Sequence, residues 1–250
     1  MQKVRLSKSE LLKLQKLNTP TVYNGWEQIT DSDIAKENFN SYPVIDFMPN
    51  LGSMVGYAIT LVIQPSNKEL KKEKAERLKR YREYVASVPG PKIVIVKDLD
   101  KQHIGSFWGE VNSTIHRALG CVGTIVDGAV RDIDEMENRH FKAIAKQLCI
   151  GHAHVTPLDW NCNINVFGCE IKPGQLIHAD KHGFLAIPTE DEQRLLEAAT
   201  FMDNNEFDTV IPAAWGTEGI SYNEILKDIE RGSKQFKEYV KRHFNREGEW

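Results

Sequence analysis

The sequence predicts an α/β protein, and three patterns predict it. After the turn Pro89-Gly90-Pro91, residues Ile93, Val94, Ile95 and Val96 form a β-branched run too short for a typical helix, as expected of a strand covered on both faces. A second such run lies at 123–126, and the helical stretch 110–119 between them completes a strand, helix, strand unit of the kind that makes a right-handed parallel crossover. Residues 163–188 read as a β meander, with Pro173-Gly174 and 180–183 as turns.

The remaining elements follow from spacing. Leu11, Leu14 and Leu17 recur at helical steps over 7–17, and Thr19-Pro20 reads as a cap and first-turn proline opening a second helix. From 43 to 63, β-branched and small residues broken by Gly52 and Gly56 suit strands separated by tight turns. Residues 68–88 place Leu70, Leu78, Tyr81, Val85 and Val88 among charges, which predicts a surface helix with one buried face. Helices are expected again at 189–200 and 221–244, the latter carrying Ile225, Ile229, Phe236 and Val240. With no repeat, low-complexity tract or long linker, the chain reads as one domain, 1–250: N-terminal helices in 1–40, a core in 43–188 and a helical region in 189–250.

Bulk properties exclude several classes. A net charge of -3, with the Lys/Arg cluster of 71–82 interleaved with Glu73 and Glu76, offers no field for nucleic acid. The longest apolar stretch, 54–63, is about half of what spans a bilayer, and charges interrupt the apolar positions of 1–15, so a cytoplasmic protein without a membrane partner is expected. Cys121, Cys149, Cys162 and Cys169 form no CxxC and read as reduced, mostly buried thiols.

The segment GEVNSTIHRALGCVGTIVDGAVRDIDEM, 109–136, carries the chemistry. Arg131-Asp132 follows a buried strand, whose C-terminal end is where open α/β sheets place ligands. Arg offers a fork for a carboxylate, and Asp a hard oxygen ligand for Mg²⁺ or Mn²⁺. Gly109-Glu110 opens the predicted helix, whose free N–H groups and positive dipole end suit an anion. Each half also has a bland reading, as a local salt bridge and as a first-turn helix charge. His152 and His154 would share one face of a strand and could form a metal pair; His178 and His182 read as hairpin surface, and His116 as helix surface. No lysine clusters with the motif to serve as a Schiff-base nucleophile.

Twenty residues separate Glu110 from Arg131, and this stretch resembles the acidic-x20-Arg-Asp signature of the RraA-like proteins and 4-hydroxy-4-methyl-2-oxoglutarate aldolases. LNTPTVYNGW resembles the family's STPTVADAL-type helix start, MVGYAITLV its G-x-A-x-T strand, and CEIKPGQLIHADKHGFLAIP its V-x-PGD-x-x-x-AD-x-x-G-V-x-x-P segment. The resemblance implies a swivelling-type α/β/β sandwich, assembled as a homotrimer or dimer of trimers with sites at subunit interfaces. It implies that Asp132 binds a divalent cation directly and that Glu110 holds a metal-bound water. Arg131 would contact an oxygen of a small 2-oxo acid, and the backbone N–H groups of the loop Gly109, Glu110, Val111 and Asn112 would hold its carboxylate. Departures from the family pattern are Glu110 for Asp, Asn112 for an apolar residue and Gln175 for Asp. An acid from a neighbouring subunit's C-terminal region is also implied, with Glu197 and Glu206 both open.

The implied activity is aldol cleavage or oxaloacetate decarboxylation through a pyruvate enolate, the cation making the substrate's 2-oxo carbonyl a better electron sink. The competing reading is a non-catalytic regulator that binds RNase E through protein contacts; retention of Glu110, Arg131 and Asp132 together favours catalysis. A nucleotide-dependent methyltransferase finds no support, because the chain lacks a glycine-rich nucleotide loop with its downstream acid.

Overall fold

The structure, a computed structural model, describes residues 5–35, 37–216 and 219–248. Backbone contacts group the chain into two compact units, one of 1–19 with 33–190 and one of 20–32 with 191–250. Helices α1 (Lys8–Leu14) and α2 (Thr19–Glu27) open the chain as the leucine spacing and Thr19-Pro20 predict.

The first unit continues with β1 (Ile45–Asp46), β2 (Met54–Ile63), α3 (Lys74–Ser87), β3 (Lys92–Asp98), α4 (Glu110–Ala118), β4 (Cys121–Val130), α5 (Ile133–Asn138) and β5 (Lys142–Leu148). It ends with β6 (Pro157–Trp160), β7 (Ile164–Val166), β8 (Cys169–Ile171), β9 (Leu176–Asp180) and β10 (Gly183–Ile187). One sheet runs in the order β1-β5-β4-β3-β2-β9-β10, with β6 also paired to β2, and β7-β8 forms a separate hairpin. The four strands β2 to β5 are mutually parallel, as the predicted crossover requires.

Alternation along β3 shows why the strands are apolar throughout. Val94 and Val96 enter a core with Tyr81 and Val85 of α3 and Met136 of α5. Ile93 and Ile95 face the other way, into a core with Ile164 and Val166 of β7, Ile171 of β8 and Phe184 of β10. Helices therefore cover one face of the sheet and a β layer the other, which is the α/β/β sandwich expected.

Two points depart from the sequence reading. Gly56 makes no turn; it sits inside β2, where a Cβ would come 3.1 Å from the Pro91 carbonyl, so its role is close strand approach. The turn is at Gly52 alone, with φ at 68°. Strands β5 and β6 have no counterpart in the sequence reading, because Lys142, Lys146 and Gln147 break the apolar signal of β5 and only parallel pairing with β4 defines it.

The second unit holds α6 (Glu192–Asp208), α7 (Val210–Trp215) and α8 (Tyr222–Phe244). Met202 of α6 packs with Phe236 and Val240 of α8, the buried stripe that the spacing of α8 predicts. Ser221 caps α8 in a reciprocal pair with Glu224. Gly25 of α2 allows close contact with α6, since a Cβ there would lie 2.3 Å from the Ala199 nitrogen.

Candidate functional site

Strand β4 delivers the central residues. Its register with β5 slips between Val126 and Ala129, at Asp127-Gly128, and the strand ends at Val130. Asp132 then takes a left-handed conformation, φ 55° and ψ 48°, which Asp tolerates better than most residues. This turn aims its carboxylate away from its own helix: Asp132 caps no donor of α5, and Oδ2 accepts instead from the Glu110 N–H of α4 at 3.1 Å. The two halves of the motif, 22 positions apart, therefore meet.

Gly109 makes the approach possible. Its backbone is extended, so conformation does not demand glycine; space does, because a Cβ would sit 2.6 Å from Asp132 Oδ2 and 3.4 Å from Arg131 Nε. The Val111 and Asn112 N–H groups follow in the first turn of α4, where a helix has no carbonyl to offer them. The Asn112 side chain is engaged elsewhere, donating to the Phe107 carbonyl at 2.7 Å and accepting from Arg82 at 3.3 Å. It holds the loop's shape.

Arg131 donates through Nη1 to the Ile150 carbonyl at 3.2 Å. Its Nε lies 3.9 Å from Asp132 Oδ1 and, although buried, has no hydrogen-bond partner. An unpaired buried donor of a charged group is costly, and a substrate oxygen would satisfy it. Glu110 accepts from Arg139 at 3.0 Å through Oε1. Arg139 was not anticipated, because only the fold of α5 brings it back to α4. The side chains of Glu110, Arg131 and Asp132 remain 48%, 34% and 35% exposed, so water and ligands reach them. An open cleft of about 560 Å³ borders Arg131 and Asp132 beside Phe47, Leu148 and Ile150.

A hard divalent cation suits these donors. Both carboxylates offer oxygen, Asp132 keeps accepting capacity beyond its bond to Glu110, and the Gly109 notch leaves its carboxylate room. Among the described residues no cluster of three or more His, Cys, Asp or Glu forms a complete cage, so substrate and water would supply the remaining ligands.

The histidines take other places than the spacing suggests. His152 and His154 lie in the loop between β5 and β6, around a left-handed Ala153, not on a strand. His116 is buried: Nδ1 donates to the Asn112 carbonyl, Nε2 accepts from Tyr81, and burial pushes its pKa down to about 4. His178 is buried as well, between Thr19 and the Leu14 carbonyl, with its pKa lowered by burial; only His182 is on the hairpin surface. At the end of β3, buried Asp98 accepts from His103 Nδ1 at 2.9 Å, and burial raises the Asp98 pKa. Cys121 and Cys169 are buried, and Cys149 and Cys162 partly so; all four are free thiols. Within the second unit Glu197 accepts from His243 and Glu206 from Asn24.

Comparison with known proteins gives the family. A protein of Halalkalibacterium halodurans named "Putative 4-hydroxy-4-methyl-2-oxoglutarate aldolase" is 31% identical over 110 residues, 44% of this chain and 52% of that protein. Protein DlpA of Legionella pneumophila is 27% identical over 147 residues, 57% of this chain and 23% of its own. The matches thus span about half or less of these relatives. The crystal structure of Streptomyces coelicolor RraAS2, described as an unusual member of the RNase ES inhibitor RraA protein family, superposes with a TM-score of 0.63 at 16% identity, covering 82% of this chain and 96% of that one. The profile of the RraA-like family, Aldolase/RraA, matches residues 21–186, and with that the chain belongs to this family.

Proposed function

We propose that the chain is a divalent-cation-dependent carbon–carbon lyase that cleaves or decarboxylates a small 2-oxo acid, such as oxaloacetate or a 4-hydroxy-4-methyl-2-oxoglutarate-like compound, through a pyruvate enolate. The observation that carries this reading is the buried, unpartnered Arg131 Nε beside the Asp132 carboxylate and the open first turn of α4. A surface built only for protein contact has no use for that trio.

In this reading Asp132 would hold Mg²⁺ or Mn²⁺ directly, and Glu110 would hold it through water. The cation supplies a Lewis acid that draws electrons from the 2-oxo group. The Val111 and Asn112 N–H groups bind the substrate carboxylate at the positive end of α4. Arg131 directs Nε at the 2-oxo oxygen, where charge grows as the C3–C4 bond breaks or CO₂ leaves, and so stabilises the enolate more than the ground state. Arg139 fixes the Glu110 arm. Because Glu is one methylene longer than the family's Asp, that anchor sets where its carboxylate ends.

Val111, Leu148 and Ile150 are 72%, 53% and 96% exposed around the site. Apolar exposure beside polar machinery supports assembly there, as a homotrimer or a dimer of trimers. Among the described residues no helix is long and apolar enough to cross a membrane. Pyruvate release from oxaloacetate and from branched 4-hydroxy-2-oxo acids, with Mg²⁺ or Mn²⁺ and again in excess EDTA, tests the proposal. Cation-dependent release is expected. Unchanged turnover in EDTA overturns the metal assignment, and no release from either substrate class leaves the protein-binding regulator as the better reading.

A further inference from the structure

We propose that the opposite end of the parallel sheet holds a second binding site, for a small organic carboxylate with an apolar body. A cavity of about 720 Å³ lies there, within the roughly 300–1,000 Å³ typical of small-molecule sites. It is lined at the starts of the parallel strands, by Met54 and Val55 of β2, Pro91 before β3, Val122 of β4 and Lys142 of β5. Arg131 and Asp132 follow the other end of β4, so the two sites do not overlap.

The cavity is preformed, because its outer wall, α1, is tied to the sheet. Arg5 donates to the Pro89 carbonyl at 2.9 Å, the Leu6 N–H to the Tyr57 hydroxyl at 2.9 Å, and Gln15 to the Ser53 carbonyl at 3.1 Å. Leu11 and Leu51 complete the apolar walls.

The sign of the ligand follows from the charges. None of the lining residues is Asp or Glu, whereas Lys8, Arg117, His140 and Lys142 all line the cavity. Lys142 is already committed, its Nζ donating to Asp46 and to the Met48 carbonyl. Lys8 and Arg117 are in no ion pair among the described residues. Two uncommitted cations above an apolar floor complement an anionic head on a hydrocarbon body, and the Arg117 fork matches a carboxylate.

Calorimetric titration of the intact chain with octanoate tests this, with 1-octanol as the uncharged control of equal length. One saturable octanoate per chain is expected, bound more tightly than octanol. Arg117→Gln should weaken it by about tenfold or more, the usual worth of a charge-assisted contact. Leu12→Glu should weaken it too; Leu12 lines the cavity and is half exposed, so an acid there repels the head without disturbing the core. Circular dichroism verifies that both variants fold. Arg131→Lys, at the other end of the sheet, should leave octanoate binding unchanged. The proposal is overturned by absence of saturable binding, by equal affinity in Arg117→Gln and Leu12→Glu, or by weakening in Arg131→Lys. It is also overturned if Leu12→Glu lowers the oligomer mass in sedimentation, which would assign the cavity mouth to a second copy of the chain. None of these outcomes bears on the lyase reading, which is read by pyruvate release.

Discussion

At the starts of the parallel strands, Lys92 donates to the Val85 and Val88 carbonyls, and Lys142 to Asp46 and the Met48 carbonyl; all of these contacts lie within the fold. At their ends, Arg131 keeps a buried Nε without a partner, and Asp132 turns its carboxylate out of its own helix onto a neighbouring one. The exposure of the ion pairs differs in the same sense: Lys142 and Asp46 are 3% and 2% exposed, while Arg139 and Glu110 are 52% and 48% exposed. A polar group satisfied inside the protein contributes to folding, whereas one left open contributes to binding. The buried lysines at the starts of the strands thus serve stability, whereas Arg131 and Asp132 at the end of β4 stay available for the binding proposed above.

The sharpest test of that division is Asp132→Ala. It removes the proposed direct ligand, so turnover should fall on the order of 10³-fold or more, while thermal unfolding stays near wild type. Loss of stability without selective loss of turnover would break the comparison. At the other end, Asp46→Ala leaves Lys142 buried with only a carbonyl partner, and urea unfolding should show a cost of about 3–5 kcal/mol. Turnover per folded molecule should be unchanged.

Arg131→Lys keeps the charge and loses the planar fork. Both kcat and kcat/KM should fall by roughly 10² to 10³ if Nε meets the developing enolate oxygen. A change confined to KM would reduce Arg131 to an anchor. Glu110→Ala should weaken cation affinity by about 10- to 100-fold, less than loss of Asp132, as expected of a group acting through water. Equal losses at both positions would contradict the direct and indirect roles.

The smallest effect concerns pH and His116, behind the first turn of α4. Its folded pKa, about 4, lies below the unfolded value, so the unfolded state binds a proton first as pH falls. The stability it supports is complete above the unfolded pKa and is lost as pH falls toward the folded one. Between about pH 7.5 and about pH 6 the loss should be about 1 kcal/mol, and His116→Gln should flatten that part of the profile. An unchanged slope in the variant would place the proton elsewhere.

How far the sequence reached can be judged from particular residues. The run at 93–96 was legible because both faces of β3 are covered, so every position must be apolar. Strand β5 was not, since its residues Lys142, Lys146 and Gln147 obscure the pattern and pairing with β4 decides it. His116 and His178 looked like surface residues because local spacing does not reveal what packs above a ring; each is buried with hydrogen bonds at both nitrogens. The candidate site was legible as residue types at a fixed spacing, Glu110 through Asp132, following a buried strand.

By itself the sequence determined the α/β class, the parallel unit of β3, α4 and β4, and the residues of the motif, because periodicity and turn chemistry are local and act within a few residues. Only the tertiary structure decided that Asp132 caps α4 in place of its own helix, that Gly109 is required by space and not by its backbone angle, and that Arg139 anchors Glu110. It also decided that Arg131 Nε is left without a partner. These depend on where separate strands and helices end relative to one another, and that is fixed by sheet register and core packing, which no local pattern encodes.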